Sequence, residues 1–573
     1  MGKQSNISQR PHCTDESAPI CAHECCYKKP GTLPLSKIAQ INHDPSQQEQ
    51  EQFGKKDTSL LRIKNLLIIG AGPHALSLLL RLLEPDADLL SDKERHSRAL
   101  YRSKERPLAE VYRHVKSLSQ NRVSAVSLKQ PRRKKQSKSK ETNNPPPLSL
   151  ETVQKSVMVV DAHGGWLSSW DQNFDALGIP KLRSLINAHA DPYDHRSLEY
   201  YADLTKKADE ELVPLPNLSQ RDKDFRGPYQ APSTAIFQKY HKLLIRSYGI
   251  EDIVHKGIVT SINPVHSDNS DNDEPLFEVT IEFDSKPIII KTRRVVCAMG
   301  PMFQASPAFW ETEMKLHSNK HPHDKILHPP EIVPYLLKKE PKSFLNKLLI
   351  VGGGITSAQL ALLAAKSSWC QTVKLIQRSK IIERQFDIET KWMGPKRGSL
   401  LEKFWSLDMS GRAKIIQQAR KGGSIPPEVL HDLLLTNNIH VQEEVQISSV
   451  HWDRPHFCVS FDDGSDIEHY DMIWLATGSE NHIDAYKTLS RLRTVLPIDV
   501  VNGLPVLHKD LSWRSTSDPK KEEPKWKLSA RKRIWCMGSL AGLELGPDAL
   551  NLVGGRQGAV RVATAIRQDM TTD

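Results

Sequence analysis

The sequence of 573 residues contains no stretch of about twenty apolar residues of the kind that spans a membrane. The run from Leu66 comes closest, but glycine, proline, histidine and arginine interrupt it. The N-terminus lacks the apolar core of a secretory signal, and Asp15 and Glu16 argue against an organelle transit peptide. We therefore expect no membrane span and a cytoplasmic location.

Cysteine is scarce, and no two cysteines have the C-x-x-C spacing of redox or zinc sites among the eight in the chain. Four are scattered through apolar segments and are expected in the core: Cys297, Cys370, Cys458 and Cys536. The other four crowd the N-terminal tail: Cys13, Cys21, Cys25 and Cys26. Their spacing matches no standard zinc site, so a disordered tail is favoured over zinc, and no metal is predicted.

Positive charge exceeds negative charge, with a formal net charge of +11 and a pI near 9.0. One basic block, Arg132 to Lys140, is a candidate nuclear-localisation or nucleic-acid patch. No aromatic residue lies among these cations, so the block offers no platform for base stacking. A solvated loop is the favoured interpretation, and no nucleic-acid partner is expected.

The most informative feature of the sequence is an internal repeat. An apolar strand, a glycine-rich turn and a helix occur at residues 66–83 and again at 348–366. Each unit continues into several β-runs, and the last run ends in Ala-Met-Gly at Gly300 or Ala-Thr-Gly at Gly478. This repetition predicts an α/β fold with two Rossmann-like dinucleotide-binding domains, three-layer sheets and β-meanders, in which one domain is inserted into the other.

The predicted boundaries follow from the composition of the intervening segments. Residues 1–60 are polar and are expected to form a disordered tail. The first dinucleotide domain begins with residues 61–340, contains an insertion at about 92–150, and is completed by residues 481–573. The second domain occupies residues 341–480.

The first turn has the pattern Gly70-x-Gly72-x-x-Ala75, in which Pro73 and His74 open the helix. The first glycine permits the tight turn, the second lets a pyrophosphate approach, and the alanine allows close packing of helix and strand. The free N–H groups of the helix start complete a phosphate site. This arrangement predicts dinucleotide binding.

An acidic residue at the end of the next strand normally binds the ribose hydroxyls about 20 residues later. No convincing candidate lies at that spacing, and the best one is Asp161, after the strand VMVVD and beyond the insertion. A loop aspartate is the alternative. Gly165, Trp166 and Trp170 follow and suit close approach to a flat ring system, although tryptophans are more often part of the core.

The second turn has the pattern Gly352-x-Gly354-x-x-Ser357. Its next strand, TVKLIQRS, ends in Arg378 rather than in an acid. A cation at this position suits a 2′-phosphate, so the second site is predicted to prefer NADPH to NADH. A surface arginine is the alternative. Two such sites in one chain indicate FAD in the first and NADPH in the second.

A disulfide reductase would need a thiol pair beside the flavin, and the missing C-x-x-C pair excludes that class. The remaining segments resemble the flavin-dependent N-hydroxylating monooxygenases, the ornithine and lysine N-monooxygenase-related proteins. The resemblance covers most of residues 66–567 and rests on these segments: GAGPHALSLLLRLL, GGWLSSWDQNFDALGIPKLRS, GGGITS, WLATGS and LELGPDALNLVGGRQGAVRV.

The resemblance implies that NADPH reduces FAD, that reduced FAD captures O₂ as a C4a-hydroperoxide, and that a small amine substrate takes up one oxygen atom. It also implies that Pro547, Asp548 and Asn551 lie near the isoalloxazine ring, with capping of a helix as an alternative role for Asp548. Arg183 is a further candidate beside either cofactor or a structural arginine.

The family's substrate-binding residues cannot be matched to this chain, so the substrate stays open. An NAD(P)H-dependent flavin reductase or oxidase without hydroxylation, and a non-catalytic FAD-binding regulatory protein, are the alternative functions. The sequence makes no prediction of oligomeric state.

Overall fold

The computed structural model describes residues 63–84, 146–192, 196–215, 230–266, 274–301, 310, 323–338, 342–393, 397–420, 422–478, 482–516 and 523–572. The predicted tail with its four cysteines, the basic block Arg132 to Lys140 and most of the predicted insertion lie outside these residues. Within the described ranges, no helix has the length and apolar character needed to cross a membrane.

The strands are β1 (Leu66–Ile69), β2 (Val157–Asp161), β3 (Leu212–Pro214), β4 (Gln230–Pro232), β5 (Val254–Lys256), β6 (Ile258–His266), β7 (Pro275–Phe283), β8 (Lys286–Thr292), β9 (Val295–Cys297), β10 (Ile326–Leu327), β11 (Leu345–Val351), β12 (Cys370–Ile376), β13 (Ile439–Gln442), β14 (Ile447–Asp453), β15 (His456–Phe461), β16 (Glu468–Tyr470), β17 (Met472–Leu475), β18 (Val500–Val501), β19 (Leu504–Pro505) and β20 (Ile534–Cys536).

The α-helices are α1 (Pro73–Leu83), α2 (Leu150–Ser156), α3 (Ser168–Leu177), α4 (Ser197–Leu204), α5 (Ala208–Glu211), α6 (Thr234–Tyr248), α7 (Pro329–Leu337), α8 (Ile355–Ala365), α9 (Arg397–Trp405), α10 (Met409–Arg420), α11 (Pro427–Leu435), α12 (Lys487–Val495), α13 (Lys525–Lys532), α14 (Gly542–Leu545) and α15 (Leu552–Thr572).

The first sheet is parallel and has the strand order β20-β9-β1-β2-β5. Its central strand β1 has the sequence LLII, and all four residues are buried. A strand in the middle of a parallel sheet has no face open to water, which is why the run is continuously apolar and does not alternate.

The second sheet is also parallel, with the order β10-β17-β11-β12-β13. All its strands come from residues 326–475, between β9 and β20 of the first sheet. The second unit is therefore inserted into the first, as the sequence predicted. Because β10 pairs with β17, the second sheet begins at Ile326, ahead of the predicted boundary at residue 341.

Each parallel sheet is accompanied by an antiparallel meander, β6-β7-β8 or β14-β15-β16. The last β-run of the first unit, Lys286 to Gly300, looks continuous in the sequence, but the structure divides it between meander strand β8 and core strand β9. The division falls at Arg293 and Arg294, where the chain passes from the meander into the sheet. In the second unit, His440 to Trp452 is divided in the same way between β13 and β14.

Helix α15 packs against α1 and carries an acidic residue to the amino ends of β9 and β20. There, Asp569 Oδ2 accepts from Arg294 Nε at 2.5 Å, and Asp569 also pairs with Arg533 at 3.1 Å. The Arg294 side chain is 1% exposed. Such a buried cation is tolerable only while it remains paired, so the C-terminal helix is held to the sheet electrostatically.

Replacement of Asp569 by Asn is expected to destabilise the protein by about 3 kcal/mol, because it removes a shared countercharge from two buried guanidinium groups. Urea unfolding followed by tryptophan fluorescence measures the change. Glu151→Gln, which breaks the exposed Glu151–Lys155 pair, is the control and should leave the unfolding midpoint unchanged. Equal effects of the two substitutions would contradict this account.

Candidate functional site

The first glycine turn lies at the carboxyl end of β1 and packs directly against the neighbouring strand. Gly70 has a φ of +97°, and a Cβ there would lie 2.7 Å from the backbone oxygen of Ala298. Gly72 caps α1 with extended backbone, and a Cβ on it would meet no atom within 4 Å. The turn therefore requires a glycine first and leaves open space beside the second, as a phosphate site does.

Asp161 lies at the end of β2, beside this turn, because β2 pairs with β1 in parallel register. Its Oδ2 accepts from the Ala71 amide at 3.0 Å, and its Oδ1 accepts from the His163 amide at 2.8 Å. The carboxylate thus reaches the glycine turn from beyond the long insertion. Each of its oxygens retains a lone pair for a hydroxyl donor.

The second glycine turn repeats this geometry at the end of β11. A Cβ on Gly352 would collide with the backbone oxygen of Ala476, which follows β17. Ser357 donates to the carbonyl oxygens of Gly352 at 2.8 Å and Gly354 at 2.7 Å, so its hydroxyl closes the turn.

The two turns differ in what covers them. A Cβ on Gly423 would lie 2.8 Å from the Gly354 amide nitrogen and from the Gly353 oxygen. The backbone of the segment after α10 therefore lies directly on the second turn, whereas Gly72 in the first turn faces open space. Only a residue without a side chain fits at position 423.

Arg378 follows β12 and is exposed. Within the described part of the chain, its side chain makes no hydrogen bond and no ion pair. In the register of the two sheets, Val351 pairs with Ile376 as Ile69 pairs with Val160, so Gln377 has the position that corresponds to Asp161. Arg378 lies one residue beyond that position.

Around Pro547, the charged and polar side chains pair with one another. Asp548 is fully buried and forms a two-pronged ion pair with Arg397, at 2.8 Å to Nε and 3.1 Å to Nη2. Burial raises the pKa of the Asp548 carboxyl, although the adjacent Arg397 favours its charged form. Asn551 Nδ2 donates to Asp387 at 3.2 Å, and Asp387 also pairs with Arg420 at 2.6 Å.

Arg183 serves as a structural connection in this conformation. Its guanidinium donates to the backbone oxygens of Arg384, Gln385, Phe386 and Ser424 and to the Ser424 hydroxyl, at 2.7–2.9 Å. Burial lowers its pKa to about 10, although nearby Asp387 acts in the opposite direction. These contacts direct the guanidinium group toward protein carbonyl oxygens.

The remaining predicted residues divide into core and edge positions. Trp166 is 9% exposed and donates to the Ile250 oxygen at 2.8 Å, and Trp170 packs edge-on against Phe174 and Phe237. Both indoles contact protein. A Cβ on Gly165 would lie 2.6 Å from the Ser168 hydroxyl, whereas Gly300 and Gly478 face open space at the sheet edges.

The His74 ring lies between two glycines. A Cβ on Gly555 would stand 2.6 Å from its Nε2, and a Cβ on Gly538 would stand 3.1 Å from its Nδ1. Burial lowers the pKa of His74 to about 4, against the raising influence of the Leu550 and Asn551 backbone. The imidazole is therefore neutral at physiological pH and connects the first turn with the segment that follows β20.

A cavity of about 280 Å³ opens beside these groups. One wall is formed by α10 and Gly422, and the opposite wall by the segment from Ser539 to Leu550. The cavity thus lies between the segment that follows the first sheet and the loop that covers the second turn.

Sequence analysis missed Arg397, Arg420, Gly423 and Ser539 as components of this region. Glycines at 422 and 423 were a usable signal, since paired glycines mark a close backbone approach. The pairing of Arg397 with Asp548 joins residues 151 positions apart and has no local signature.

Stability should depend on His74 in acid. Its pKa is 6.5 in the unfolded chain and about 4 in the folded protein, so its contribution is complete above pH 6.5 and is lost as pH falls toward 4. His74→Asn should therefore show a smaller drop in urea midpoint between pH 7 and pH 4.5. His440→Asn, at an exposed position, is the control, and the same drop in both variants would contradict the assignment.

Comparison with solved structures finds the same fold in flavoprotein hydroxylases. The ornithine N-hydroxylase of Kutzneria sp. 744, solved with reduced FAD, NADP⁺ and L-ornithine, is 13% identical with a TM-score of 0.58, covering 89% of this chain and 100% of that chain. The reduced ornithine hydroxylase of Pseudomonas aeruginosa is 12% identical, with a TM-score of 0.57 and coverage of 89% and 100%.

L-lysine 6-monooxygenase from Pseudomonas syringae is 17% identical, with a TM-score of 0.51 and coverage of 88% and 99%. No protein-family model and no curated protein matches the sequence. At these identities the likeness concerns the fold, and it confirms the predicted α/β fold class.

Proposed function

We propose that this protein is an FAD- and NADPH-dependent monooxygenase that hydroxylates a small amine. The observation that carries the proposal is the pair of glycine turns, each packed against the carbonyl of a neighbouring parallel strand and each followed by a helix start. Similarity to ornithine and lysine hydroxylases over almost the whole length of those chains supports the choice of reaction.

The first turn fits the adenine dinucleotide half of FAD. Open space at Gly72, the uncapped start of α1 and the Asp161 carboxylate would take the pyrophosphate and the ribose diol. Gly300 leaves room for the cofactor to pass the end of β9. Pro547 and Asn551 would border its ring, and His74 supports that border by packing beneath Leu550 and Asn551.

The second turn fits NADPH through the uncapped start of α8 and the unpaired cation Arg378. A guanidinium matches the two-oxygen geometry of a phosphate, which a bare ribose diol lacks. Gly423 borders this site closely, since any larger residue there would collide with the backbone of Gly353 and Gly354. Gly478 leaves the corresponding passage at the end of β17.

When bound, FAD would supply the redox chemistry, passing two electrons from NADPH to O₂, so that one oxygen atom is added to the amine and the other leaves as water. The chain's contribution is to orient both cofactors and to limit water near the ring. The buried Asp548–Arg397 pair braces the segment from Pro547 to Asn551 without presenting a free acid to the reaction.

The proposal is tested on the purified full chain supplemented with FAD. We expect a yellow protein that oxidises NADPH and converts L-ornithine, L-lysine or cadaverine into a product heavier by one oxygen atom, detected by mass spectrometry. Peroxide with no hydroxylated amine would indicate a flavin reductase or oxidase, and bound FAD that NADPH never reduces would indicate a non-catalytic protein. Binding of neither cofactor would reject the proposal.

Arg378→Ser should raise the KM for NADPH roughly tenfold or more, because it removes a charge-assisted hydrogen bond to the 2′-phosphate. The KM for NADH should stay unchanged, since NADH has no such phosphate. Steady-state oxidation of both nucleotides measures this. Arg246→Ser, at an exposed arginine on α6, is the control. An equal rise of the KM for NADPH and for NADH in the Arg378 variant would count against a phosphate contact.

A further inference from the structure

The cavity beside Pro547 has the dimensions of a small-ligand site. Its volume of about 280 Å³ lies just below the usual range for pockets that hold drug-sized molecules. Small residues, including Gly542, Gly546 and Ala549, form the wall nearest the segment that follows the first sheet. This leaves space next to the predicted ring position.

Ser539 contributes an unsatisfied hydroxyl to this cavity. The residue is 7% exposed, and its Oγ finds no hydrogen-bond partner among the residues that the structure describes. A buried hydroxyl without a partner costs free energy that a bound ligand atom would recover. The side chain therefore marks a place where a polar ligand atom is missing.

Arg420 lines the same cavity and retains donors for a ligand. Its Nη2 pairs with Asp387 at 2.6 Å, and its Nη1 has only a long contact of 3.5 Å to the Pro547 oxygen. A guanidinium carries five N–H groups, so these two contacts leave part of the fork available. Its side chain is 20% exposed.

The described residues that line the cavity include a positive charge and no negative charge. Arg420 is the only ionised side chain among the described residues that form the cavity wall, and Gln417, Asn502 and Ser539 are the neutral polar ones. An ammonium group would find no carboxylate there, whereas a carboxylate would find a cation and a free hydroxyl.

We propose that Ser539 and Arg420 form an anchoring subsite for the carboxylate of a small ligand, and that this subsite rejects diamines. As a statement about the substrate, it rests on the proposed function. Its geometric basis is an unpaired buried hydroxyl and a partly free guanidinium that line the same cavity, and this cavity adjoins the predicted ring position through Pro547.

Ligand binding to the FAD-supplemented full chain, followed by thermal shift of tryptophan fluorescence without NADPH, tests the subsite. The probes are L-lysine, 6-aminohexanoate, which has the carboxylate but no α-amine, and cadaverine, which has both amines but no carboxylate. We expect the first two to raise the melting temperature and cadaverine to leave it unchanged. Equal binding of cadaverine, or no shift with either carboxylate, would overturn the proposal.

Ser539→Ala should weaken binding of 6-aminohexanoate roughly tenfold, the effect of one hydrogen bond to a charged group. Without ligand its melting temperature should not fall, because the hydroxyl makes no bond within the described protein. Ser77→Ala is a matched control, since Ser77 is also buried with an unpartnered hydroxyl but lies away from the cavity. Unchanged affinity in Ser539→Ala would overturn the assignment.

Arg420→Lys provides a second variant that keeps the charge but loses the fork, and it should also weaken 6-aminohexanoate binding. NADPH oxidation by the same preparations is measured separately. A protein that oxidises NADPH but shows no carboxylate selectivity refutes the subsite alone, whereas one that binds carboxylates selectively without oxidising NADPH refutes the proposed function alone.

Discussion

The close contact between a glycine and the carbonyl of the adjacent strand is the constraint on which the structure depends. It occurs twice, at Gly70 against Ala298 and at Gly352 against Ala476. In each case the missing Cβ lets the chain turn sharply and begin a helix at the carboxyl edge of the sheet. The position of Asp161, of Arg378 and of the loop that follows each last strand is defined relative to this contact.

The predictable part of the fold was the part with a local signature. Continuous apolar strands, glycine turns and the repeated Ala-x-Gly ends identified both sheets and their nesting. Asp161 was recognised as the end of a strand, but its pairing with β1 across a long insertion was only a hypothesis until the register was known. The division between β8 and β9 falls at the polar residues Arg293 and Arg294, so a polar pair inside a long β-run was a usable signal of the passage from meander to core sheet.

The site was less predictable because it depends on pairs that are distant in sequence. Asp548 was expected near a flavin, and its buried partner Arg397 could not be inferred from either segment alone. Trp166 and Trp170 had two possible roles, and the bonding of Trp166 to Ile250 and the ring contacts of Trp170 favour the core. The Ser539 hydroxyl lacks a hydrogen-bond partner among the described residues because of how the chain packs around it, and no sequence pattern indicates this.

The contacts of Arg183 have a mechanical consequence. Arg183 belongs to the chain between β2 and β5 of the first sheet, whereas its acceptors at 384–386 and 424 lie between β12 and β13 of the second. A rigid-body rotation of one unit against the other would have to break several charge-assisted hydrogen bonds at once. The Arg183 hydrogen bonds therefore oppose rotation of the two sheets against each other.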